Sequence, residues 1–588
     1  MSSVLPRRSR SSTLLALAAV AVAFAAADTY VVVLSLPDMM TSVGLSVEEL
    51  QRAAPIISGF LLGYVAMLPL IGRIADLRGR LPVLVVSLLV FGLGSLVTAA
   101  AYDLPSLVVG RFAQGVGGGG LVPVTLALVA DIYPAEKRGV PLGVVGAVQE
   151  LGSVIGPLYG AVVLAFGSWR DIFWINLAVG LVLAAGITAL REHAPEEVRE
   201  RRHVDVVGLA LAALALAALL LVMRQPEALV TSVRWGGPFV PFGDATSIWW
   251  SQVGIATIGL GCALVVWLLV APRPFLDVRD WWGTARQADL LGALLLALAL
   301  GGVILAFATA DPQVQVFSDA GPLYLGVAAL AAVGFALHQR RAPAPLIPRG
   351  SFAHRPAWGA LLVSFFVGSA LIAALVDIPV FARVSIYGDS QIKAALVLVE
   401  LLVALPVGAV AGGYLTRWFP AGAITAAGMA LAALGFWSMS TWDVDALHQL
   451  SSSLVLVVTG LGFGLALAPV NAALLASTDA AVHGVTSALL VVSRMVGMLI
   501  GISALTTIGL RRYYAVSGDF PSPSKVCGGK TRCDAYSDLL QSAGVEQLHA
   551  IFIGASLSAV LAGLLALALF SGAATRGAPS SPLIGIGG

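Results

Sequence analysis

The sequence predicts an all-α polytopic membrane protein. Of its 588 residues, 58% are hydrophobic and only 11% are charged, and the mean hydropathy of +0.93 is far from that of a soluble domain. The apolar residues form runs that are long enough to cross the roughly 30 Å hydrocarbon core of a bilayer. Short polar or charged links separate these runs. A series of transmembrane helices joined by loops therefore accounts for most of the chain.

The charges exclude several classes of function. The net charge is only +2, and the arginines gather in alternate loops. A nucleic-acid-binding protein instead concentrates its basic residues on one face. The seven histidines are scattered, and no nucleophile stands beside a base at the spacing of a catalytic or metal site. We therefore expect neither an enzyme nor a nucleic-acid-binding protein, and no cofactor or bound metal.

The first block of the chain contains six apolar runs. The run from Leu14 to Leu36 is too long for the core of a signal peptide and contains Asp28, so we interpret it as a retained helix. Arginines in the N-terminal tail (1–12) and in the even-numbered loops predict a cytoplasmic N-terminus. The predicted helices of this bundle (13–192) cover residues 14–36, 53–71, 82–101, 104–129, 140–166 and 172–190.

The central region (193–355) contains two hairpins with the same plan, at 204–283 and 288–354. In each, an aspartate and a glycine precede a first apolar run, a polar loop leads to a second run, and a proline-rich segment ends the hairpin. A tandem duplication explains the shared plan, and two hairpins of separate origin are the alternative.

A second block of six runs completes the chain. This bundle (356–572) is followed by a short tail (573–588), and the total becomes sixteen helices, with fourteen as the alternative. An even number places both termini in the cytoplasm. The predicted helices cover residues 358–381, 394–415, 421–440, 454–475, 485–510 and 551–570.

The turn between the second and third helices carries the most specific motif. Gly72 and Gly79 allow two helix ends to approach closely, Asp76 can accept hydrogen bonds at a helix end, and Arg78 and Arg80 suit the cytoplasmic side. A loop that only sets topology is the simpler alternative. The pattern Gly-x-x-x-Asp-x-x-Gly-Arg resembles the signature loop of the major facilitator superfamily of transporters. That resemblance implies two six-helix bundles with a substrate path between them.

The fifth helix carries a second motif, with Gly152, Gly156 and Gly160 spaced four apart and Pro157 among them. Glycines at this spacing permit close helix contact and the proline weakens the backbone ladder, so we expect this segment to bend and to pack across the bundle boundary. An ordinary helix-packing motif is the alternative. The segment resembles the antiporter signature of drug:proton antiporters. In the fourth helix, a run of glycines from 115 to 120 likewise predicts close packing.

Charged residues inside apolar helices are the candidates for coupling. Each costs about 2.5–3.5 kcal/mol at the centre of a membrane helix, so it usually has a partner or a function. We assign the transported proton to Glu150 and expect Asp28 and Arg494 to form a latch between the bundles. Arg111 matches the arginine of the proton-coupling helix in proton-coupled facilitators, although it could also lie near the helix end and extend to the interface. Asp377 and Glu400 either line the cavity or lie near helix ends.

Four segments together narrow the resemblance to the actinobacterial lipid-exporting branch of the larger drug:proton antiporters: 28–33, 149–153, 169–176 and 494–501. This implies a monomeric, proton-gradient-driven exporter of lipids such as triacylglycerides in the plasma membrane, with a periplasmic lipoprotein as acceptor. A multidrug:proton antiporter shares every motif and is the alternative. That family has fourteen helices, so the hairpin at 204–283 is a departure from it.

The outer ends of the last two helices favour a lipid substrate independently. The eleventh core helix continues without a breaker through Tyr514, and an amphipathic stretch precedes the twelfth, so both could extend beyond the membrane. In the external loop between them (515–535), Cys527 and Cys533 predict a disulfide in an oxidising compartment, with a zinc site as the alternative. Helix ends that extend beyond the membrane and are held by a disulfide would suit the transfer of an apolar molecule.

Overall fold

The computed structural model of the chain describes residues 7–45, 50–134, 137–191, 205–230, 237–243, 247–308, 320–387, 391–528, 533–573 and 575. Within these ranges the chain is helical, apart from loops and one isolated bridge between Pro241 and Ser251. The helices fall into three groups in chain order.

The first group forms the N-terminal bundle. Its members are α1 (Arg7–Ser42), α2 (Leu50–Arg78), α3 (Arg80–Ala100), α4 (Leu104–Ile132), α5 (Gly139–Phe166) and α6 (Trp169–Arg191).

The second group contains the two central hairpins and a short helix between them. Its members are α7 (Val206–Arg224), α8 (Glu227–Val230), α9 (Gln252–Val270), α10 (Val278–Gln287), α11 (Leu290–Ala308) and α12 (Gly321–Arg341), with a 3-10 turn at Ile248–Trp250.

The third group forms the C-terminal bundle. Its members are α13 (Arg355–Ser385), α14 (Gln391–Leu415), α15 (Ala421–Met439), α16 (Leu450–Ala476), α17 (His483–Gly518), α18 (Pro523–Val526) and α19 (Asp534–Leu569), with 3-10 turns at Ala446–His448 and Ala480–Val482.

Fourteen helices in the described part of the chain are long and apolar enough to cross a membrane. Helices α1 and α5, with 36 and 28 residues, add two more long helices. Within the described residues the long helices fall into blocks of six, four and six, in the all-α polytopic arrangement that the sequence predicts.

Each bundle has its own apolar core. In the C-terminal bundle, the ring of Phe436 packs against those of Phe463 and Phe552 at centroid distances of 5.9 and 6.1 Å. The core of the N-terminal bundle extends to Ala488 and Val491 of α17. The two bundles thus share a packed seam at the end of the molecule that carries Asp76, which we call the Asp76 end.

The turn at this end is shorter than the sequence suggests. Helix α2 continues to Arg78 and α3 begins at Arg80, so only Gly79 leaves the helical conformation. Its φ of 95° lies in the region that favours glycine. The charged residues of the motif are therefore held on two rigid helix ends.

The two central hairpins share side-chain contacts as well as a plan. Asp205 accepts hydrogen bonds from the backbone N–H of Gly208 and Phe275. Asp289 accepts the corresponding bonds from Gly292 and Leu346. In both hairpins, one aspartate at the start of the first helix also fixes the segment that follows the second. The shared plan of the two hairpins therefore extends to the carboxylate that closes each of them.

Candidate functional site

The most deeply buried charges of the N-terminal bundle form one network around Asp28. Arg111 Nη1 lies 2.6 Å from Asp28 Oδ2, and the two side chains are 1% and 0% exposed. Asp28 Oδ1 accepts hydrogen bonds from Gln114 Nε2 at 2.8 Å and from Asn176 Nδ2 at 2.6 Å. Helices α1, α4 and α6 are therefore joined through a single carboxylate.

Further contacts complete the environment of Arg111. Its Nη1 also donates to Gln114 Oε1 at 2.6 Å, and its Nε donates to the carbonyl of Ile56 on α2 at 3.4 Å. The guanidinium carbon lies 4.4 Å from the centroid of the Phe60 ring and 5.7 Å from that of Phe173. Arg111 is thus a paired interior charge, and the alternative that it extends to the interface is wrong.

The predicted ion pair between Asp28 and Arg494 is replaced in the structure by the pair of Asp28 and Arg111. A buried carboxylate needs a counter-ion because it has lost its hydration, and the guanidinium that pairs with Asp28 lies on α4 of the same bundle. Arg494 instead lines a pocket between the bundles. The latch that we expected is therefore absent from this conformation.

Other predicted site residues lie in separate places. Asp377 is buried on α13, and Glu400 lies on an exposed face of α14. Helix α5 passes through positions 150 and 157, but the side chains of Glu150 and Pro157 are outside the described residues.

The glycines of the fifth-helix motif pack within one bundle. A Cβ atom at Gly152 would collide with the backbone of Ala23, and one at Gly156 would collide with the backbone of Ala27, both on α1. The close approach that we expected is present, but the expectation that the motif itself packs across the bundle boundary is wrong. Helix α5 crosses the boundary nearer its start, where a Cβ atom at Gly143 would collide with the backbone of Ala409 on α14. In α17, Gly497 and Gly501 pack in the same way on α13. The motif therefore repeats in the second bundle.

Glycines of α4 behave similarly. Gly115 and Gly119 meet the α2 backbone, and Gly117 meets the α3 backbone. The close packing predicted for this stretch is confirmed. It brings α4, and with it Arg111, into the centre of the bundle.

The signature motif joins the two bundles at the Asp76 end. Asp76 accepts hydrogen bonds from the backbone N–H groups of Gly484 and Val485 at 2.8 and 3.0 Å, at the first residues of α17. Arg80 Nη1 lies 2.5 Å from Asp76 Oδ1, and Arg80 Nη2 donates to the carbonyl of Ala480. A carboxylate at a helix N-terminus satisfies free N–H groups and complements the helix dipole. The motif thus holds α17 against α2.

A pocket lies between the bundles, next to this seam. Helices α4 and α5 contribute one side, and α13, α16 and α17 contribute the other. Its polar lining residues are Gln149, Ser364, Asn471 and Arg494, and the remaining lining is mostly Leu and Val. Its volume of about 20 Å³ admits about one water molecule, so a substrate could enter only after the bundles separate.

At the opposite end, α17 and α19 are each 36 residues long. At 1.5 Å per residue such a helix measures about 54 Å, well beyond a hydrocarbon core of roughly 30 Å. Arg512 Nη2 and Glu546 Oε2 join the two helices at 2.7 Å, and the predicted disulfide between Cys527 and Cys533 is present in the connection between them. The long, braced helices expected from the sequence are confirmed.

Sequence reasoning missed the roles of Gln114 and Asn176. Both stand in apolar helices, and that isolation was the available signal, because a polar side chain inside a membrane bundle requires a partner. It also missed α10, whose polar sequence lacks the long apolar run of a spanning helix.

Comparison with known proteins agrees with this architecture. Residues 18–502 match the model of the Major Facilitator Superfamily. The chain is 36% identical over 519 residues to a triacylglyceride transporter of Mycolicibacterium hassiacum, covering 86% of this chain and 81% of that protein. It is 34% identical to a triacylglyceride transporter of Mycobacteroides abscessus, covering 88% and 87% of the two chains.

Solved structures share the fold at low sequence identity. The human organic anion transporter TETRAN matches with a TM-score of 0.54 and 15% identity, covering 96% of this chain and 100% of that one. The proton:xylose symporter XylE matches with a TM-score of 0.51 and 14% identity, covering 95% of each. The family model spans most of the sequence, the relatives align over most of their length, and the helices adopt the corresponding fold. On these grounds, this multi-pass membrane protein is a transporter and belongs to the Major Facilitator Superfamily.

Proposed function

We propose that the protein is a proton-driven exporter of lipids such as triacylglycerides, working by alternating access between its two bundles. The observation that carries the proposal is the buried network around Asp28, because it supplies a protonatable group in the packing of three helices. The seam at the Asp76 end supplies the contact that must open and close.

Coupling follows from the chemistry of the Asp28 network. Charged Asp28 satisfies Arg111 and accepts from Gln114 and Asn176. Protonation removes the charge and leaves a buried arginine without its counter-ion, at a cost of about 3–5 kcal/mol if nothing moves. A rearrangement of α1, α4 and α6 that gives Arg111 new partners or water would relieve that cost. Proton binding can thereby favour another arrangement of the bundle, and Glu150 stays a second candidate for the proton.

We assign the Asp76 end to the cytoplasm and the Cys527–Cys533 end to the external side. Basic residues favour the cytoplasmic side of membrane proteins, and Arg78, Arg80 and Arg138 all lie at the Asp76 end. Disulfides persist in oxidising compartments outside the cytoplasm. Both termini are then cytoplasmic, and the membrane is the plasma membrane.

Two observations support a lipid as substrate. The relatives described above are named triacylglyceride transporters, at 34–36% identity over most of both chains. The projecting ends of α17 and α19 provide a raised structure at the external exit, which suits a molecule that cannot diffuse through water. A periplasmic lipoprotein is the partner we propose to accept the lipid from a monomeric exporter.

The test is export from proteoliposomes under an imposed proton gradient, using a fluorescent triacylglyceride analogue and, separately, a fluorescent cationic drug. We expect lipid export by the wild type that depends on the gradient. Asp28→Asn should abolish this dependence, because an amide cannot exchange the proton. Asp443→Asn is the control, since Asp443 is an exposed acid that lies outside both the Asp28 network and the seam.

Two results would contradict the proposal. Full gradient dependence in Asp28→Asn would exclude the coupling role of Asp28. Strong drug efflux without lipid export by the wild type would instead identify a multidrug:proton antiporter.

A further inference from the structure

Helix α10 lies between the two central hairpins at the Asp76 end. Its ten residues, Val278–Gln287, are too few to cross a membrane. It follows α9 and directly precedes α11, so it lies at the level where these spanning helices end. It contains two adjacent tryptophans flanked by two arginines, a combination typical of helices that lie along a membrane surface.

One face of α10 is fixed to the signature motif. Arg78 Nη1, at the end of α2, lies 2.6 Å from Asp280 Oδ2 and donates to Thr284 Oγ1 at 3.2 Å. The guanidinium carbon of Arg78 also lies 4.4 Å from the centroid of the Trp281 ring. These three contacts determine which side of α10 faces the protein and which faces outward.

The outward face carries Arg279, Trp282 and Arg286. Their spacing of three and four residues places them on the same side of a helix. Trp282 is 53% exposed and both arginines are exposed. The guanidinium carbon of Arg286 lies 5.3 Å from the centroid of the Trp282 ring.

The charge of this face is not neutralised by the protein. Of the two acids nearby, Asp280 binds Arg78, and Asp277 accepts the N–H of Asp280 as the cap of α10. Among the residues that the structure describes, neither Arg279 nor Arg286 forms an ion pair with a carboxylate. Two guanidinium groups and an indole therefore face outward together.

We propose that this face of α10 binds the headgroups of anionic phospholipids in the leaflet at the Asp76 end. Arginines donate well to phosphate oxygens, and tryptophan favours the boundary between headgroups and acyl chains. Phe275, just before α10, is 46% exposed and extends the apolar part of the surface towards α9. A soluble anion would use the two arginines but would leave these aromatic side chains in water, so a lipid is the better match.

The same helix connects the lipid to the seam between the bundles. Arg78 holds α10 and stands two residues from Asp76, which binds the first residues of α17. Anionic lipid that orders α10 would therefore also stabilise the end of α2. The seam would respond to the charge of the surrounding membrane.

Hydrogen–deuterium exchange of the peptide that covers α10 tests this proposal locally. The full chain is placed in nanodiscs of phosphatidylcholine, with or without phosphatidylglycerol. Phosphatidylglycerol should slow exchange in α10 several-fold in the wild type, and the double variant Arg279→Gln/Arg286→Gln should lose this effect. A lipid titration by native mass spectrometry should show about thirtyfold weaker binding at this site, from two lost basic contacts.

Three controls distinguish lipid binding at α10 from a general effect of charge and from binding of a soluble anion. The double variant Arg279→Lys/Arg286→Lys keeps the charge and should retain most of the protection. Lys525→Gln removes a charge at the opposite end and should behave as the wild type does. Inorganic phosphate added to phosphatidylcholine nanodiscs should have no effect. An equal response in the glutamine variant, no response in the wild type, or full protection by inorganic phosphate alone would overturn the proposal.

Discussion

At the residue scale, two glycine contacts between the bundles close the Asp76 end, and they differ in the residue that stands four positions after the glycine. Gly72 meets Gly484 where α2 reaches α17, and Gly413 meets Gly139 where α14 reaches α5. Asp76 follows Gly72 by four residues and binds the N-terminus of α17. The residue four after Gly413 is Arg417, which stacks on the ring of Tyr414 at 4.8 Å. The seam between α2 and α17 thus has a carboxylate that caps a helix. The seam between α14 and α5 relies on glycine packing.

Asp76→Ala should open the first seam. The substitution removes two hydrogen bonds to α17, worth about 0.5–2 kcal/mol for a helix cap, and leaves the buried Arg80 without its closest counter-ion. Spin labels at the exposed positions Leu77 and Ala481 report the distance between α2 and the start of α17. We expect a longer and broader distance distribution in the variant.

The control for this measurement is Asp131→Asn. Asp131 contacts the same arginine, at 3.4 Å from Arg80 Nε, but it is 44% exposed. An unchanged distance distribution in Asp76→Ala, or an equal change in both variants, would show that the cap does not hold the seam.

Single residues also show where sequence reasoning ends. Asp28 and Arg111 were recognised because each is a charge in an apolar helix. Their mutual pairing was missed, because three-dimensional proximity depends on which helices become neighbours. The sequence predicts Arg494 as the partner of Asp28, whereas the structure places the paired guanidinium, that of Arg111, on α4.

At the element scale, spacing of small residues predicts that a helix approaches a neighbour closely but does not identify the neighbour. Gly152 and Gly156 were expected to face the other bundle and instead pack on α1. Helix lengths were more predictable, since the runs that form α17 and α19 contain no breaker and become helices of 36 residues. Helix α10 was missed because a short interfacial helix has a weak apolar signal.

The first central hairpin should loosen in acid. Asp205 accepts hydrogen bonds from Gly208 N–H at 2.8 Å, from Phe275 N–H at 3.0 Å and from the indole of Trp267 at 3.1 Å. These bonds, that from Gly208 first, lower the pKa of the carboxyl below its usual value. Its contribution to stability is therefore complete above the unfolded pKa of about 3.9 and is lost as the pH falls through the folded pKa.

Hydrogen exchange of the segment around Phe275 measures this effect. The segment should be protected at neutral pH and lose protection below about pH 4, and Asp205→Asn should reduce the protection already at neutral pH. Asp277→Asn is the control, because Asp277 caps the neighbouring α10 instead. Equal protection of wild type and Asp205→Asn at neutral pH would contradict the role of this carboxylate.

At the scale of the whole molecule, the two bundles repeat one packing scheme. Gly115 and Gly117 of α4 pack on α2 and α3, and Gly460 and Gly462 of α16 pack on α14 and α15. The sequence indicated two blocks of six helices, but the repeat between them is faint. The structure reveals the repeat, because the same helix-to-helix backbone contacts occur in both bundles although the side chains differ.

The paired seams lead to a prediction about the conformational equilibrium of the transporter. A methyl group at Gly72 would collide with the backbone of Gly484, and one at Gly413 would collide with the backbone of Gly139. Both collisions involve backbone atoms of helices, which cannot move aside singly. Gly72→Ala and Gly413→Ala should therefore each disfavour the conformation in which the Asp76 end is closed. Each substitution should destabilise the closed conformation by about 1–3 kcal/mol, the usual cost of overpacking.

The same spin-label pair, Leu77 and Ala481, distinguishes local from global opening. If the bundles move as rigid bodies, Gly413→Ala should lengthen this distance although its collision lies at the other seam. Gly326→Ala is the matched control, because a Cβ atom there meets nothing within 4 Å. A change confined to Gly72→Ala would mean that each seam opens alone, whereas an equal change in both variants would mean that the two seams open as one unit.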